Sequence, residues 1–243
     1  MMRAYLGFEL RRLARDPRLL FFSVIGPVAT YVIFSGWSAG DRLEGLAAPV
    51  AVMIGVAGYG AVAGVLMVGS AVSQERAAGW LRQLRVTPLP AWRVVTVKAF
   101  VGSLTAIPPA IAVGAVAAIQ HQVALPAGRW LILLALLWAG TAPFALLGLA
   151  IGYGLSPRLA VPVNLLVFLV MSVLGGLLAP ADYFPPGLRA LAHALPTYRY
   201  AELGWRSAAG HLPTGAGLAV LTAWTVVAAL LAAWAYRRST ARP

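Results

Sequence analysis

Long apolar runs dominate the chain, and six of them are long enough to cross a bilayer as helices. A spanning helix needs about 20 consecutive, mostly apolar residues. The pattern predicts spans at residues 19–37, 49–72, 94–119, 130–153, 160–179 and 214–236. The first run follows a basic segment, as in a signal peptide, but it exceeds the roughly 7–15 apolar residues of a signal peptide. We therefore predict an all-α integral membrane protein, with residues 1–243 forming one domain and the first span retained.

The basic segment before the first span has helical periodicity. Residues 1–18 place Leu6, Leu10 and Leu13 on one helical face, with arginines elsewhere around the helix. This pattern predicts an amphipathic helix lying along the membrane interface. The alternative is a positively charged anchor that only sets the topology.

The segment between the last two spans, residues 180–213, also has helical periodicity. Leu188, Leu191 and Leu195 share one face and are followed by Pro196, which breaks a helix. A second apolar face then begins with Tyr198, Ala201 and Trp205. We therefore predict two short helices on the outer side, in a segment that dips into the membrane with its backbone hydrogen bonds satisfied internally.

A short charged stretch interrupts the apolar pattern between spans two and three. If residues 74–86 are helical, one face is apolar and the charged residues turn away from it. The apolar face is Ala77, Trp80, Leu81 and Leu84, and the charged residues are Glu75, Arg82 and Arg85. Ser73 can cap the start of this helix, and Pro88 ends it. The loop 73–93 is therefore predicted to contain an amphipathic helix, whereas the alternative is an ordinary loop whose arginines only set the topology.

Composition and charge support a membrane protein and give its orientation. The chain is 60% hydrophobic and 11% charged, whereas about a quarter of the residues in soluble domains are charged. The net charge of +12 does not indicate a nucleic-acid partner, because the basic residues lie between apolar runs. Of the 19 Lys and Arg residues, 14 fall on the side of the termini and of loop 73–93. Since positive residues are retained inside the cell, we predict a multi-pass membrane protein with both termini cytoplasmic. The richness in Ala, Gly and Arg favours a bacterial source, and hence a bacterial inner membrane.

The sequence offers little to support catalysis. It has no cysteine, and its single lysine, Lys98, is preceded by Thr96 and Val97 rather than by a phosphate-binding loop. We therefore predict no ATPase site, no catalytic residue and no metal site in this chain. The stretch GWSAG matches a hydrolase nucleophile pattern, but Ser38 follows a predicted span instead of a strand, so we interpret the match as chance.

Polar side chains within the predicted spans are candidates for a translocation path. They are Tyr59, Ser70, Thr141, Asn164 and Ser172. The alternative role is hydrogen bonding between packed helices. Lys98 lies close to the cytoplasmic end of its span and is predicted to extend to the interface. Because no ionisable residue falls in the middle of a span, the path is predicted to suit an amphiphilic substrate rather than a proton.

Glycine and proline positions predict where helices approach one another and where they bend. Gly60 and Gly64, and likewise Gly148 and Gly152, are four residues apart and permit close helix contact. Prolines inside the predicted spans bend their helices where packed neighbours tolerate it. They are Pro27, Pro108, Pro109, Pro143 and Pro162.

The stretch SQERAAGWLRQLRVTPLPAWRVVTVK resembles the cytoplasmic loop of ATP-binding-cassette (ABC) exporter permeases of the second type. In that family a Glu-Arg pair opens the loop, a Gly follows, and a segment like QLRVTPLP leads into the next helix. The matching residues here are Glu75, Arg76, Gly79, 83–90, Trp92 and Arg93. The six spans, the N-terminal interfacial helix and the outer segment YFPPGLRALAHALPTYRYAELGW are also similar to that family.

The resemblance implies a permease subunit of a bacterial exporter of drugs, antibiotics or lipid-like compounds, as in multidrug resistance. Two permease subunits would form a dimer in the lipid membrane, most simply a homodimer. A separate cytoplasmic ATPase would bind ATP and Mg, while this chain holds no cofactor. The residues implied to couple to that ATPase, through a coupling helix, are Glu75, Arg76, Gly79, Trp80, Leu81, Arg82, Leu84 and Arg85.

Two other functions remain open at this stage. An ATP-independent secondary carrier predicts inverted repeats and ion ligands near the midplane, and the chain shows neither. A non-transporting membrane scaffold makes no residue-level prediction that separates it from a permease.

Overall fold

The computed structural model describes residues 7, 11, 17–37, 42–43, 45–79, 91–178, 181 and 184–241. The helices in this part of the chain are α1 (Pro17–Trp37), α2 (Ala48–Ala77), α3 (Ala91–Ser103), α4 (Ile107–Gln120), α5 (Ala127–Ala139), α6 (Ala142–Gly154), α7 (Pro157–Leu174), α8 (Pro186–Ala194), α9 (Pro196–Ala208) and α10 (Gly215–Ala241). A small hairpin that the sequence did not predict pairs β1 (Arg42–Leu43) antiparallel with β2 (Leu46–Ala47). Gly45 makes its turn with a φ of 75°.

Five helical stretches in the described residues are long and apolar enough to cross a membrane. They are Ala48–Ala77, Arg93–Gln120, Ala127–Gly154, Pro157–Leu174 and Gly215–Ser239. These stretches correspond to predicted spans two to six and confirm an all-α membrane protein. The first predicted span coincides with α1, in which the described apolar stretch is the shorter Ser23–Gly36. The count of six spans therefore stays a prediction, and the N-terminal interfacial helix lies almost entirely outside the described residues.

Prolines interrupt two of the spans, as predicted. A 3-10 turn, Leu104–Ala106, separates α3 from α4. Pro108 and Pro109 follow it, and neither can donate a hydrogen bond to the carbonyl four residues earlier. In the next span, α5 ends two residues before α6 begins, and Pro143 lies in the first turn of α6. Each of these two spans therefore consists of two shorter helices in sequence.

The fifth predicted span ends earlier than the apolar pattern suggests. Residues 160–179 were predicted to be helical, but α7 ends at Leu174. Gly176 has a φ of 75°, and the amide of Leu177 donates to the carbonyl of Ser172 at 3.0 Å. The amide of Gly176 also donates to the carbonyl of Val173, at 3.3 Å. These two bonds form a Schellman motif, which ends the helix although the following residues remain apolar.

The core is built around α2, whose buried residues occupy all sides of the helix. Its closest neighbour is α6, and the two backbones touch at glycines. A β-carbon on Gly69 would overlap the carbonyl of Gly148, and one on Gly152 would overlap the carbonyl of Gly69. The close contact predicted from Gly148 and Gly152 is therefore confirmed. On another side of α2, a β-carbon on Gly60 would meet Pro27 and Pro109.

The predicted pair of short helices before the last span is confirmed as α8 and α9. Leu195 between them has extended backbone, with a ψ of 145°, and Pro196 begins α9. The face predicted for α9 is buried, and Trp205 donates its indole N–H to the carbonyl of Ala51 at 3.1 Å. Burial raises the pKa of Tyr200, which keeps its hydroxyl protonated, and this hydroxyl donates to the carbonyl of Leu137 at 2.9 Å.

The leucine face of α8 is only partly buried. Leu191 was placed on the apolar face of this helix, but 46% of it is exposed, whereas Ala192 beside it is fully buried. The periodicity of three leucines located the helix correctly. It did not show which side meets the bundle, because apolar side chains at a membrane also face lipid.

Candidate functional site

The charged pair that opens the loop motif lies on the second span itself. Glu75 and Arg76 occupy the last turn of α2, which ends at Ala77. Gly79 has a φ of 81°, in the left-handed region that glycine adopts without strain and that does not continue an α-helix. The prediction of a separate helix beginning at residue 74 is therefore wrong, because those residues continue the span. The predicted coupling residues Trp80, Leu81, Arg82, Leu84 and Arg85 lie outside the described residues, and their docking role stays a prediction.

A buried ion pair joins the two spans on either side of this loop. The Oε2 atom of Glu75 lies 2.7 Å from Nζ of Lys98 in α3, and the two side chains are 11% and 3% exposed. The prediction that Lys98 extends to the interface is therefore wrong, because its charge is satisfied inside the bundle. Removing one partner of a buried pair leaves an uncompensated charge and is strongly destabilising. The pair thus holds the end of α2 against α3.

Arg76 connects the same turn of α2 to the end of α6. Its two terminal guanidinium nitrogens donate to the backbone carbonyls of Tyr153 and Leu155. The last carbonyls of a helix have no partner within that helix and carry partial negative charge, so an arginine is favourable there. Arg76 therefore caps α6 across the bundle. The two charged side chains of the motif tie the start of the loop to two different helices.

Sequence reasoning missed Lys98 as part of this site. A signal was present, because Lys98 is the only lysine and lies near the same predicted membrane side as Glu75, within a largely uncharged span. Ionisable residues within membrane spans usually pair with one another. The carbonyls of Tyr153 and Leu155 had no sequence signal, since every residue has one.

The predicted path residues lie mostly between α2 and α7. Asn164 in α7 donates its side-chain N–H to Oγ of Ser70 in α2 at 2.9 Å, and both residues are buried. The rings of Tyr59 and Phe168 pack with their centroids 4.6 Å apart. These contacts connect two helices of the same chain.

The two remaining path candidates occupy helix ends. Thr141 lies in the break between α5 and α6 and donates its hydroxyl to the carbonyl of Trp138 at 2.6 Å. Ser172 is fully buried in the last turn of α7. That Tyr59, Ser70, Thr141, Asn164 and Ser172 line a path stays a prediction.

A cavity of about 320 Å³ lies between α2, α4 and α5. Its walls are apolar and include Met53, Ile54, Gly114, Trp130 and Leu134. None of the five predicted path residues lines it. Ordinary apolar residues of this kind have no sequence pattern that separates a cavity wall from a packed core.

The described residues form a multi-pass membrane protein of apolar helices. The charged side chains of its spans lie near the helix ends, where they form an ion pair and a helix cap. The ABC-2 type transporter family matches residues 2–204 of the chain. The chain therefore belongs to the ABC-2 type transporter family and is a membrane permease of an ABC transporter. It is also similar to "Putative transport permease YvfS" of Bacillus subtilis (strain 168), with 23% identity over 234 residues that cover 96% of each chain.

Proposed function

We propose that this chain is the six-span subunit of a bacterial ABC exporter that moves a hydrophobic or amphiphilic compound outward across the inner membrane. The compound is a drug, an antibiotic or a lipid-like molecule. A separate cytoplasmic ATPase binds ATP and Mg and drives the movement, and a second copy of this chain completes the permease. Both termini and the segment between α2 and α3 face the cytoplasm.

The observation that carries this proposal is the fixed base of the segment between α2 and α3. The Glu75–Lys98 pair holds the two helices that flank the segment together, and Arg76 attaches the same turn to the end of α6. A force applied to the segment by a docked partner would therefore move three helices as one body. A loop with loose ends would absorb such a force by bending at its junctions.

The surroundings of Lys98 support an energy source on another chain. A phosphate-binding loop needs a lysine that reaches the β- and γ-phosphates. Lys98 is the only lysine in the sequence, and its side chain is 3% exposed and engaged by Glu75. ATP hydrolysis is therefore assigned to the partner ATPase.

The distribution of charge supports an apolar or amphiphilic compound. Within the described spans, the charged side chains lie near the helix ends, as Glu75, Arg93, Lys98, Arg129 and Arg158 do. The cavity of about 320 Å³ between α2, α4 and α5 is also lined by apolar residues. Ligand pockets begin at about 300 Å³, so this cavity is of sufficient size for a small apolar group.

The docking part of the proposal is tested by Leu81→Ala combined with Leu84→Ala. Burial of each leucine against a partner is worth on the order of 1.5–3 kcal/mol, so loss of both should raise the dissociation constant of the permease–ATPase complex by about a hundredfold or more. The measurement is copurification of the ATPase with the permease, together with export in cells that depend on it. Membrane insertion should stay normal, because the spans fold without these two side chains.

A matched control replaces two exposed leucines on the other side of the membrane, Leu191→Ala with Leu212→Ala. These side chains are 46% and 84% exposed, so this variant should retain the ATPase and its transport rate. Undiminished copurification and export in the Leu81 and Leu84 variant would contradict a docking role and leave the segment as a topology signal.

A further inference from the structure

The apolar cavity of about 320 Å³ between α2, α4 and α5 reaches the surface of the bundle. Ile111 of α4 and Leu131 of α5 line it and are 55% and 69% exposed. Both residues belong to helical stretches that are long and apolar enough to cross a membrane. Apolar side chains exposed on such stretches face lipid or another chain. The cavity therefore opens on the side of the bundle, between two spans.

Hydrocarbon groups form nearly all of the cavity walls. The lining consists of Leu, Ile, Ala, Gly and Met residues and of Trp130, whose indole N–H is the only strong hydrogen-bond donor among these side chains. Water in a cavity needs about two to four polar partners, whereas apolar cavities of about half this volume stay dry and take up hydrocarbon molecules. A drug with polar groups would leave those groups without partners here. The cavity therefore fits a hydrocarbon group that carries no polar atoms.

The depth and length of the cavity match one acyl chain. Its lining on α4 covers residues 110–118, close to the end of that helix at Gln120. Trp130 lies in the first turn of α5, and Trp side chains concentrate at the membrane–water interface. Eight steps along a helix cover about 12 Å, which is close to the roughly 15 Å that one leaflet contributes to the hydrocarbon core. The cavity therefore runs from near the interface towards the middle of the membrane.

We propose that this cavity holds one acyl chain of a membrane phospholipid, taken from the leaflet on the side of the connection between α4 and α5. The chain enters between Ile111 and Leu131 and lies along Gly114. A β-carbon on Gly114 would lie 3.0 Å from the ring of Trp130, so the glycine keeps this space open. A void of this size forfeits van der Waals contacts unless something fills it. Lipid is the occupant because it supplies unsubstituted hydrocarbon at this depth.

An acyl chain in the cavity would support the wall on which α9 packs. The side chains of Ile54, Leu133 and Leu137 line the cavity. A β-carbon on Gly204 of α9 would meet the same three side chains. The lipid would therefore help to hold α9 through a wall of single side chains. This inference needs only lipid binding and holds whichever compound the permease transports.

The test uses the full chain in lipid nanodiscs that contain phosphatidylglycerol with a diazirine in the middle of one acyl chain. After irradiation, the labelled residues are mapped by mass spectrometry of peptides. Met53 is the decisive position, because it lines the cavity and is 1% exposed, so lipid around the bundle cannot reach it. We expect label on Met53. Ala115→Phe places a ring in the space of the chain, so this label should fall about fivefold or more.

The matched control is Ala219→Phe, which adds the same ring to an exposed position of α10 that does not line the cavity. It should leave the label on Met53 unchanged. Absence of label on Met53 in the unmodified chain, or equal loss in both variants, would overturn the site. Cross-linking of Ala115→Cys between two chains would show that a second copy covers the opening instead. Loss of the label on adding tetraphenylphosphonium, at a concentration at which unlabelled phosphatidylglycerol has no effect, would overturn the lipid in favour of a soluble compound.

Discussion

At the scale of single residues, the two charges that open the loop motif have different roles. Glu75 turns towards α3 and pairs with Lys98, while Arg76 turns towards α6 and binds backbone carbonyls. Both side chains therefore position the base of the segment within the bundle. The proposed contacts with the ATPase would then involve residues further along, among which Leu81 and Leu84 form the predicted apolar face.

The ion pair predicts an asymmetric response to mutation. Lys98→Met removes the ammonium group that pairs with the Glu75 carboxylate, and loss of one member of a buried pair costs about 3–5 kcal/mol. Lys98→Met combined with Glu75→Gln removes both charges and should recover most of that loss. The measurement is the midpoint of thermal unfolding in detergent, monitored through the loss of the monodisperse protein peak.

Arg199→Met provides the control for this pair. Arg199 and Glu202 form an ion pair at 2.9 Å on α9, but their side chains are 17% and 14% exposed and more accessible to water. A smaller loss is therefore expected there. If the Lys98 single variant and the double variant lost stability equally, the pair would have no coupling of its own.

At the scale of secondary-structure elements, the contact between α2 and α6 depends on glycines, which have no side chain to separate the two backbones. Where Gly69 meets Gly148 and Gly152, the two backbones are too close for any β-carbon. Association of helices in a membrane relies on van der Waals packing, which small residues strengthen by allowing this approach. Since Arg76 caps α6 near the same contact, the packing and the cap act together.

Gly69→Ala is predicted to disrupt this contact. The added methyl group would overlap the carbonyl of Gly148, and overpacking of this kind costs about 1–3 kcal/mol or more. The unfolding midpoint and the yield of monodisperse protein should both fall. Gly26→Ala is the control, because nothing lies within 4 Å of a β-carbon there. Equal behaviour of the two variants would contradict the close approach of α2 and α6.

At the scale of the whole molecule, alternating spans bring most of the basic residues to one end. Arg76 lies in the last turn of α2, Arg93 begins the third span, Arg158 lies in the first turn of α7, and Arg237 and Arg238 lie near the end of α10. This end is the predicted cytoplasmic side, and α8 and α9 lie at the other. The proposed ATPase contact thus lies on the side of the membrane that holds most of the basic residues.

This orientation predicts the accessibility of introduced thiols, and the chain has no cysteine to remove first. Ala78 and Ala124 are both exposed and lie at opposite ends of their spans. Ala124→Cys should react with a membrane-impermeant maleimide in intact cells. Ala78→Cys should react only after the inner face is opened. The reverse pattern would place the proposed coupling segment outside the cell.

Features that depend on residues close together in the sequence could be predicted from it. Spans two to six follow from apolar length, because a spanning helix satisfies all its own backbone hydrogen bonds. The helix breaks before Pro108 and Pro143 follow from these prolines, which have no backbone N–H to donate. The division into the two short helices α8 and α9 follows from Pro196. The resemblance of the loop led to the ABC-2 type transporter family for the same reason, since it rests on one continuous stretch.

The helix ends and the partners of polar groups were decided by tertiary structure. An apolar pattern does not distinguish a side chain that faces lipid from one that faces another helix, so it could not assign Leu191 and Ala192. The position of Lys98 against Glu75, and of Arg76 against the carbonyls of α6, depends on how distant helices pack. The sequence by itself determined that these charges lie at one end of the spans. Only the packing of α2 against α3 and α6 decided which groups these charges contact, because a buried charge needs a partner and the partner lies on whichever helix packs beside it.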